Sequence, residues 1–155
     1  MSDSERYSTI TIAIKCIEEV RKFDEKIDKF GKSYRSRARR IPSLIYEIGL
    51  VSTICYLYAK ATSNVYEKIL NSQNQGTCII NVQASNEELA HALYLKHLLS
   101  YISGKIGRGG EEKYPIKFVN TLAENPNDII VAESLLKPFL IELKHLAEAI
   151  LEVEE

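Results

Sequence analysis

The chain has 155 residues, of which 45% are hydrophobic, and this content is ordinary for a globular protein with its own core. Its 20 lysines and arginines nearly balance its 21 acids, so the formal net charge of −1 argues against a non-specific polycation of the histone type. Any binding to a polyanion must therefore come from a local cluster of charge. At this length we expect a single α-helical domain over residues 1–155.

Apolar residues recur at helical spacing along most of the chain, beginning with a long first helix from about Ile10 to Phe30. Gly31 is expected to close this helix, because glycine readily adopts the left-handed conformation that ends helices. A second helix carries a run of arginines. Pro42 is expected to end or kink it, because proline removes a backbone donor and clashes with the preceding turn. Leu50 to Lys60 are predicted to form a third helix.

The middle of the chain is predicted to contain a short helix from Asn64 to Leu70 and then a polar loop over residues 71–76, where no periodicity is found. Residues 78–82 have the composition of a short strand. A lone strand would have no partner in a helical chain, so we do not predict one there.

The second half of the chain is also predicted to be helical. Ser85 and Glu88 form a capping box, which is a specific signal for the start of a helix, and Gly104 is expected to end that helix. A further short helix is predicted over residues 116–122, followed by a last helix or helix pair in which Pro138 is expected to introduce a kink. The predicted fold class is therefore all-α, a compact bundle of six or seven helices.

The cysteines, the N-terminus and the apolar stretches of the sequence indicate the cellular compartment in which we expect the protein. Cys16, Cys55 and Cys78 are odd in number and lack paired spacing, so they do not form a disulfide framework, and their apolar neighbours predict reduced core cysteines. The N-terminus lacks the layout of a signal peptide, and the longest apolar stretch is too short to span a bilayer. We therefore expect a cytoplasmic protein without a membrane segment.

Motifs for catalysis or metal binding are missing from the sequence. His91, His97 and His145 have no acidic or cysteine partner at ligand spacing, and His91 is expected to be a buried, hydrogen-bonded core residue. Adjacent carboxylates such as Glu18 and Glu19 point about 100° apart on a helix, and we interpret them as solvated. The sequence thus predicts no catalytic residue, no metal and no cofactor.

The segment from residue 32 to residue 40 is the most informative part of the chain. It holds five cations and no acid: Lys32, Arg35, Arg37, Arg39 and Arg40. We call these five residues the basic ridge. Like charges one turn apart destabilise a helix, whereas guanidinium groups suit phosphate oxygens. A solvated helix face normally mixes both signs, and a nuclear-localisation patch requires only basic density. We therefore interpret the basic ridge as a surface that follows a phosphate backbone.

Two blocks of the chain resemble a known family. In the first, a basic helix runs into Ile41-Pro42, continues through Leu44-Ile45 and Gly49-Leu50, and leads to an apolar helix that ends in Leu57-Tyr58-Ala59-Lys60. This block resembles the small α-helical subunit of the type III-B (Cmr) CRISPR effector.

The second block lies at the C-terminus. Residues 141–149, Ile-Glu-Leu-Lys-His-Leu-Ala-Glu-Ala, are similar to the closing motif of the same family. The tryptophan of that motif is absent here, and His145 stands in place of its arginine. Lys144 is the one lysine that the motif carries over as an RNA-binding residue.

The resemblance implies a non-enzymatic RNA-binding scaffold that acts in antiviral defence. In that family, several small subunits stack along the ribonucleoprotein filament and line the channel of the guide–target duplex, while RNA cleavage belongs to other subunits. The implied partners are guide RNA, target RNA, the other effector subunits and further copies of the chain stacked head to tail. Residues 121–155 carry two lysines and eight acids, and their charge, opposite to that of the basic ridge, favours such a head-to-tail contact.

Two other classes of protein remain open. The first is a helical DNA-binding or regulatory module with the arginine helix in a groove. Base readout would favour Asn, Gln or Arg at the start of a recognition helix, whereas Pro42 and an apolar helix follow the cluster here. The second is an uncharacterised enzyme, which a ligand or metal bound in a pocket would reveal.

Overall fold

Seven α-helices follow one another in the computed structural model, which describes residues 3–75, 83–107 and 109–152. They are α1 (Asp3–Lys26), α2 (Phe30–Ile48), α3 (Leu50–Ala61), α4 (Ser63–Gln75), α5 (Asn86–Lys105), α6 (Pro115–Glu124) and α7 (Pro126–Ile150), with a short 3₁₀ turn at Glu111–Lys113 before α6. No strand occurs in these ranges, so the prediction of an all-α bundle is confirmed.

Helix α5 is the centre of the bundle. Every residue from Leu89 to Leu99 is buried, and a helix that is buried on all sides must be surrounded by other elements. It packs against α1, α2, α3, α4 and α7. The predicted capping box starts this helix: the Ser85 side chain accepts from the Glu88 amide, and the Glu88 carboxylate accepts from the Ser85 amide.

The corner between α1 and α2 differs from the prediction. Helix α1 ends at Lys26, and Lys29 adopts the left-handed conformation with φ 62°, whereas Gly31 lies in the first turn of α2. The Gly31 amide donates to Asp24 Oδ1 at 2.7 Å, and a Cβ at this position would lie 3.0 Å from the Asp24 carboxyl group. Gly31 is therefore needed for a close approach between two helices, and the prediction that it closes α1 was wrong.

Helix α2 passes through Pro42 and ends at Ile48 with Gly49 as its C-cap. We expected Pro42 to end or kink the helix, and the first of these two expectations was wrong. Gly49 has φ 86° and ψ 165°, a conformation that is essentially confined to glycine. The Leu50 amide, which begins α3, donates to Glu133 Oε1 of α7 at 3.0 Å. Gly49 alone thus connects α2 to α3, and the hydrogen bond from Leu50 to Glu133 of α7 holds this turn in place.

We expect Gly49→Ala to lower the free energy of unfolding by about 1–3 kcal/mol, because a side chain at positive φ is strained. Gly104→Ala is the matched control, since Gly104 lies in α5 and a Cβ there would meet no atom within 4 Å. That control should be neutral or stabilising by about 0.4–1 kcal/mol. Urea denaturation followed by circular dichroism measures both. If both substitutions changed the free energy of unfolding equally, the positive φ of Gly49 would not be the reason why alanine is unfavourable at this position.

Two predicted helices have different bounds in the structure. Helix α4 extends to Gln75, so residues 71–75, which we expected in a loop, are helical. Helix α7 is continuous through Pro138 and is one helix rather than a pair. Residues 78–82 lie outside the described residues. The short helix predicted over residues 116–122 corresponds to α6.

The cysteines fit the prediction only in part. Cys16 is partly buried beside the core, and burial raises its pKa to about 12, which keeps the thiol protonated and unreactive. Cys55 is exposed on α3, so the expectation of a core position was wrong for this residue. Cys78 lies outside the described residues.

Helix α7 runs antiparallel to α2. Glu152 and Glu148, near the end of α7, lie beside Lys32 and Arg39, whereas Glu133 near its start meets Leu50, which begins α3 just after α2 ends. The acids Glu148 and Glu152 are thereby placed beside the basic ridge of the same molecule. Among the described residues, no helix combines the length and the apolar character needed to cross a membrane.

Candidate nucleic-acid interface

Burial of α2 determines where its basic residues lie. The helix buries one face, formed by Phe30, Tyr34, Ala38 and Ile41 at helical spacing, and the basic ridge occupies the positions between and opposite them. Arg39 and Arg40 are exposed, whereas Lys32, Arg35 and Arg37 are partly buried. The five cations therefore flank both sides of the buried face and do not form one row.

Two cations of the ridge point toward α7, and we call them the paired cations. Lys32 Nζ lies 3.9 Å from Glu152 Oε2, and Arg39 Nε lies 3.3 Å from Glu148 Oε1. Exposed pairs of this kind contribute about 0–1 kcal/mol, so they neutralise charge more than they stabilise the fold. Lys144 precedes Glu148 by one helical turn and lies on the same side of α7.

Arg37 lies on the other side of α2, against α5. Its Nη1 donates to His91 Nε2 at 3.1 Å, and its Nη2 donates to Ser36 Oγ at 3.0 Å. His91 Nδ1 lies 2.6 Å from the carbonyl oxygen of Glu87, which can only accept, so the proton is on Nδ1 and Nε2 is free to accept from Arg37. The guanidinium of Arg37 is therefore held by a neutral histidine and not by a carboxylate.

Two residues of α3 extend this cluster. The ring of Tyr56 packs edge-on against the His91 ring at 6.0 Å between centroids, and Lys60 Nζ lies 5.9 Å from the centre of the Tyr56 ring. Burial lowers the pKa of His91, and the nearby charges of Arg37 and Lys60 lower it further. The predicted buried, hydrogen-bonded His91 is confirmed, and its neutral form is favoured because burial and, to a smaller extent, two nearby cations lower its pKa.

The remaining arginines of the ridge have no acidic partner among the residues that the structure describes. Arg40 is exposed one turn after Arg37, and the salt bridges in the described ranges do not include Arg35, Arg37, Arg40 or Lys60. Arg35 is partly buried, and its Nε atom has no hydrogen-bond partner within the described ranges. We call Arg37, Arg40 and Lys60 the open cations, because they lie on or beside this cluster and, in the described part of the chain, no salt bridge joins any of them to a carboxylate.

A second polar cluster lies inside the bundle and joins α1, α2 and α5. Glu19 Oε1 accepts from Lys96 Nζ at 2.9 Å and from His97 Nε2 at 3.0 Å. Since Nε2 donates, His97 Nδ1 is the acceptor for the Tyr34 hydroxyl, whose oxygen lies 2.6 Å away. Glu19 was expected to be solvated, and this interpretation was wrong. Its side chain is only 22% exposed and pairs with a buried lysine.

The pKa values in this cluster follow from burial and from the donors. Burial raises the pKa of Glu19, but the hydrogen bonds from His97 and Lys96 and the charge of Lys96 outweigh it and lower the pKa to about 2. Burial lowers the pKa of His97 and keeps its ring neutral. The cluster is therefore a Glu19–Lys96 ion pair that two neutral groups complete, and its geometry fits a structural role.

A shallow cavity of about 350 Å³ lies beside this cluster, between α1 and α5, with Ile12, Cys16 and Tyr101 among its mainly apolar lining. In residues 3–75, 83–107 and 109–152, no three or more histidine, cysteine or acidic side chains are grouped so that they could hold a metal ion.

The sequence matches a known family. The model of the family "CRISPR-associated protein (Cas_Cmr5)" matches residues 9–149 of this chain. A curated relative, the CRISPR system CMR subunit Cmr5 of Saccharolobus solfataricus, is 27% identical over 137 residues, which cover 81% of this chain and 83% of that protein.

Two solved structures contain chains with a similar fold. A chain in the cryo-EM structure of the type III-B Cmr-beta complex bound to non-cognate target RNA has a TM-score of 0.75 at 20% identity, and the match covers 94% of this chain and 97% of the other. A chain in the Cmr-beta structure with cognate target RNA and AMPPnP has a TM-score of 0.72 at 20% identity, with coverage of 96% and 99%. At this identity the likeness shows a shared fold.

Proposed function

The chain belongs to the Cas_Cmr5 family of CRISPR-associated proteins, and from this membership we propose that it is a non-catalytic small subunit of a type III-B CRISPR ribonucleoprotein effector. The observation that carries the proposal is the family match over residues 9–149, which includes both α2 and most of α7. The curated relative is a CMR subunit, and both structural relatives come from Cmr complexes with target RNA, which supports the same assignment.

In this role, the basic ridge and Lys144 contact the backbone of the guide–target RNA. Arginine and lysine contacts to phosphate add attraction whatever the base sequence, as a subunit that serves many guides requires. The ridge is carried by a 19-residue helix that packs against α1, α3, α5 and α7, so its cations project from a rigid element. RNA cleavage is assigned to other subunits of the effector.

Stacking of several copies along the filament is part of the proposal. The charge attraction between copies that we expected to cause it is weakened by pairing within the chain. We expected the acidic end of one copy to meet the basic ridge of the next. Glu148 and Glu152 instead pair with Arg39 and Lys32 of their own chain. Complementary charge between copies is thereby reduced, and the stacking proposal depends on the family relationship and not on the charge of the two ends.

Purification of the tagged chain from its native host tests the proposed function. We expect other effector subunits and a set of RNAs with a common guide-like element to be recovered with it, because a small subunit is held by both protein and RNA contacts. The control is the same purification from an untagged strain, in which neither should be recovered. Recovery of the chain without RNA and without any stable protein partner would contradict the proposal.

A further inference from the structure

The cations of the candidate interface are not equivalent. Lys32 and Arg39, the paired cations, each lie within 4 Å of a carboxylate at the end of α7. Arg37 lies on the side of α2 that meets α5, Arg40 follows it by one turn, and Lys60 lies on α3. In the described part of the chain no carboxylate pairs with these open cations. A phosphate that approaches the paired cations must compete with an acid that is already there.

The guanidinium group of Arg37 is oriented so that it can bind an external anion. His91 and Ser36 accept from its Nη1 and Nη2 atoms, which fixes the plane of the guanidinium. In the part of the chain that the structure describes, these two hydrogen bonds leave most of its five N–H donors without a protein acceptor. A planar group that is already oriented loses little conformational entropy when it binds a phosphate, and it matches two phosphate oxygens at once.

Lys60 brings a second charge to the same place from a different helix. Its ammonium group lies over the Tyr56 ring, which packs against His91, and His91 in turn accepts from Arg37. The two side chains are thus linked through two aromatic rings, although 23 positions separate them in the sequence. Arg40 lies one turn beyond Arg37 on α2 and adds a third charge near this face.

We propose that the open cations form the phosphate-binding site of the candidate interface, that this site takes the sugar–phosphate backbone of RNA, and that the paired cations contribute little to it. Lys60 is thereby assigned to the site together with Arg37 and Arg40, and His91 and Tyr56 are positioning residues that hold Arg37 and Lys60. This inference rests on the proposed function, because it specifies which part of the ridge contacts the RNA.

Two double variants of the full-length chain test the proposal, because each removes two positive charges. Arg37→Gln/Lys60→Gln removes open cations, and Lys32→Gln/Arg39→Gln removes the paired cations. Binding to a labelled 20-nucleotide oligouridylate is measured between 0.05 and 0.3 M salt. The first variant should bind about tenfold more weakly at 0.1 M salt, with a salt slope smaller by about 1.4, since each phosphate contact with a single strand contributes about 0.7. The second should bind within about twofold of the wild type.

Folding is controlled separately, because Arg37 is partly buried. Arg40→Gln/Lys60→Gln changes two exposed residues and should show the same loss of affinity with an unchanged thermal unfolding midpoint. Equal losses in the open and paired variants would mean diffuse attraction, and a larger loss in the paired variant would place the site beside α7. Either result overturns the inference and leaves the proposed function standing. If the wild type does not bind the RNA, or if no variant weakens binding, the proposal that the basic ridge contacts RNA is contradicted as well.

Discussion

Replacement of Glu19 by alanine is expected to lower the free energy of unfolding by about 3–5 kcal/mol, because it removes one partner of a buried ion pair and leaves the other without a counter-charge. Lys96 is 7% exposed, and its ammonium group donates to Glu19 at 2.9 Å. The same change removes the acceptor for His97, which orients the ring toward Tyr34. Urea denaturation followed by circular dichroism measures the loss.

The neighbouring acid provides the control for this prediction. Glu18 is exposed on the same turn of α1, and Glu18→Ala should change the stability by no more than about 0.5 kcal/mol. Glu19→Gln keeps an oxygen acceptor and removes the charge, so it separates the hydrogen bonds from the ion pair. If Glu19→Ala were no more destabilising than Glu18→Ala, the cluster between α1, α2 and α5 would not contribute to the fold.

The pH dependence of the same unfolding experiment has a definite sign. The pKa of Glu19 is lowered from 4.5 to about 2 in the folded state, so its contribution is present above pH 4.5 and is lost as the pH falls toward 2. Burial also lowers the pKa of His97, so protonation of this ring favours the unfolded state as the pH falls below about 6.5. The wild type should therefore lose stability on acidification, and Glu19→Ala should lose less between pH 4.5 and 2.

The sequence predicted the fold class well where one local signal determined the structure. The capping box located the start of α5, and apolar periodicity located every helix of the described ranges. The prediction that Gly31 closes α1 and the prediction that Pro42 could end α2 were wrong because packing overrode the usual role of these residues as helix breakers. Gly31 is required by the close approach of the Asp24 carboxyl group, which helix propensity cannot predict. Pro42 is retained in a helix whose preceding residues Ala38 and Ile41 are buried in the core.

The site was predictable only in part. Charge density alone identified the basic ridge, but the division into open and paired cations depends on how α3, α5 and α7 pack around α2. No pattern in the sequence relates Arg37 to Lys60 on another helix. One feature of the sequence could have predicted that Glu19 is buried and paired. Helix α5 carries Lys96 and His97 inside a run of buried apolar residues, and a buried lysine requires an acid somewhere in the fold.

Replacement of Arg35, Arg37, Arg39 and Arg40 by alanine is expected to weaken binding of single-stranded RNA and to flatten its salt dependence together. The salt slope should fall by about 1.4 if only Arg37 and Arg40 contact phosphates, and by up to about 2.8 if all four do. The corresponding loss of affinity at 0.1 M salt is about tenfold to several hundredfold. Homopolymers of different bases should lose affinity alike, because phosphate contacts carry no base preference. Fluorescence anisotropy over a salt series measures both quantities.

A quadruple variant on α1 separates a defined site from general attraction. Lys15, Arg21, Lys22 and Lys26 are all exposed, and their replacement by alanine changes the net charge by the same amount. Phosphate contacts act at short range, and exposed charges farther than about 10 Å from the RNA are screened at 0.1 M salt, so this control should change the affinity far less than the α2 variant. Comparable losses in both variants would indicate that RNA senses only the net charge. Wild-type affinity and salt slope in the α2 variant would show instead that the basic ridge is not an RNA-binding surface.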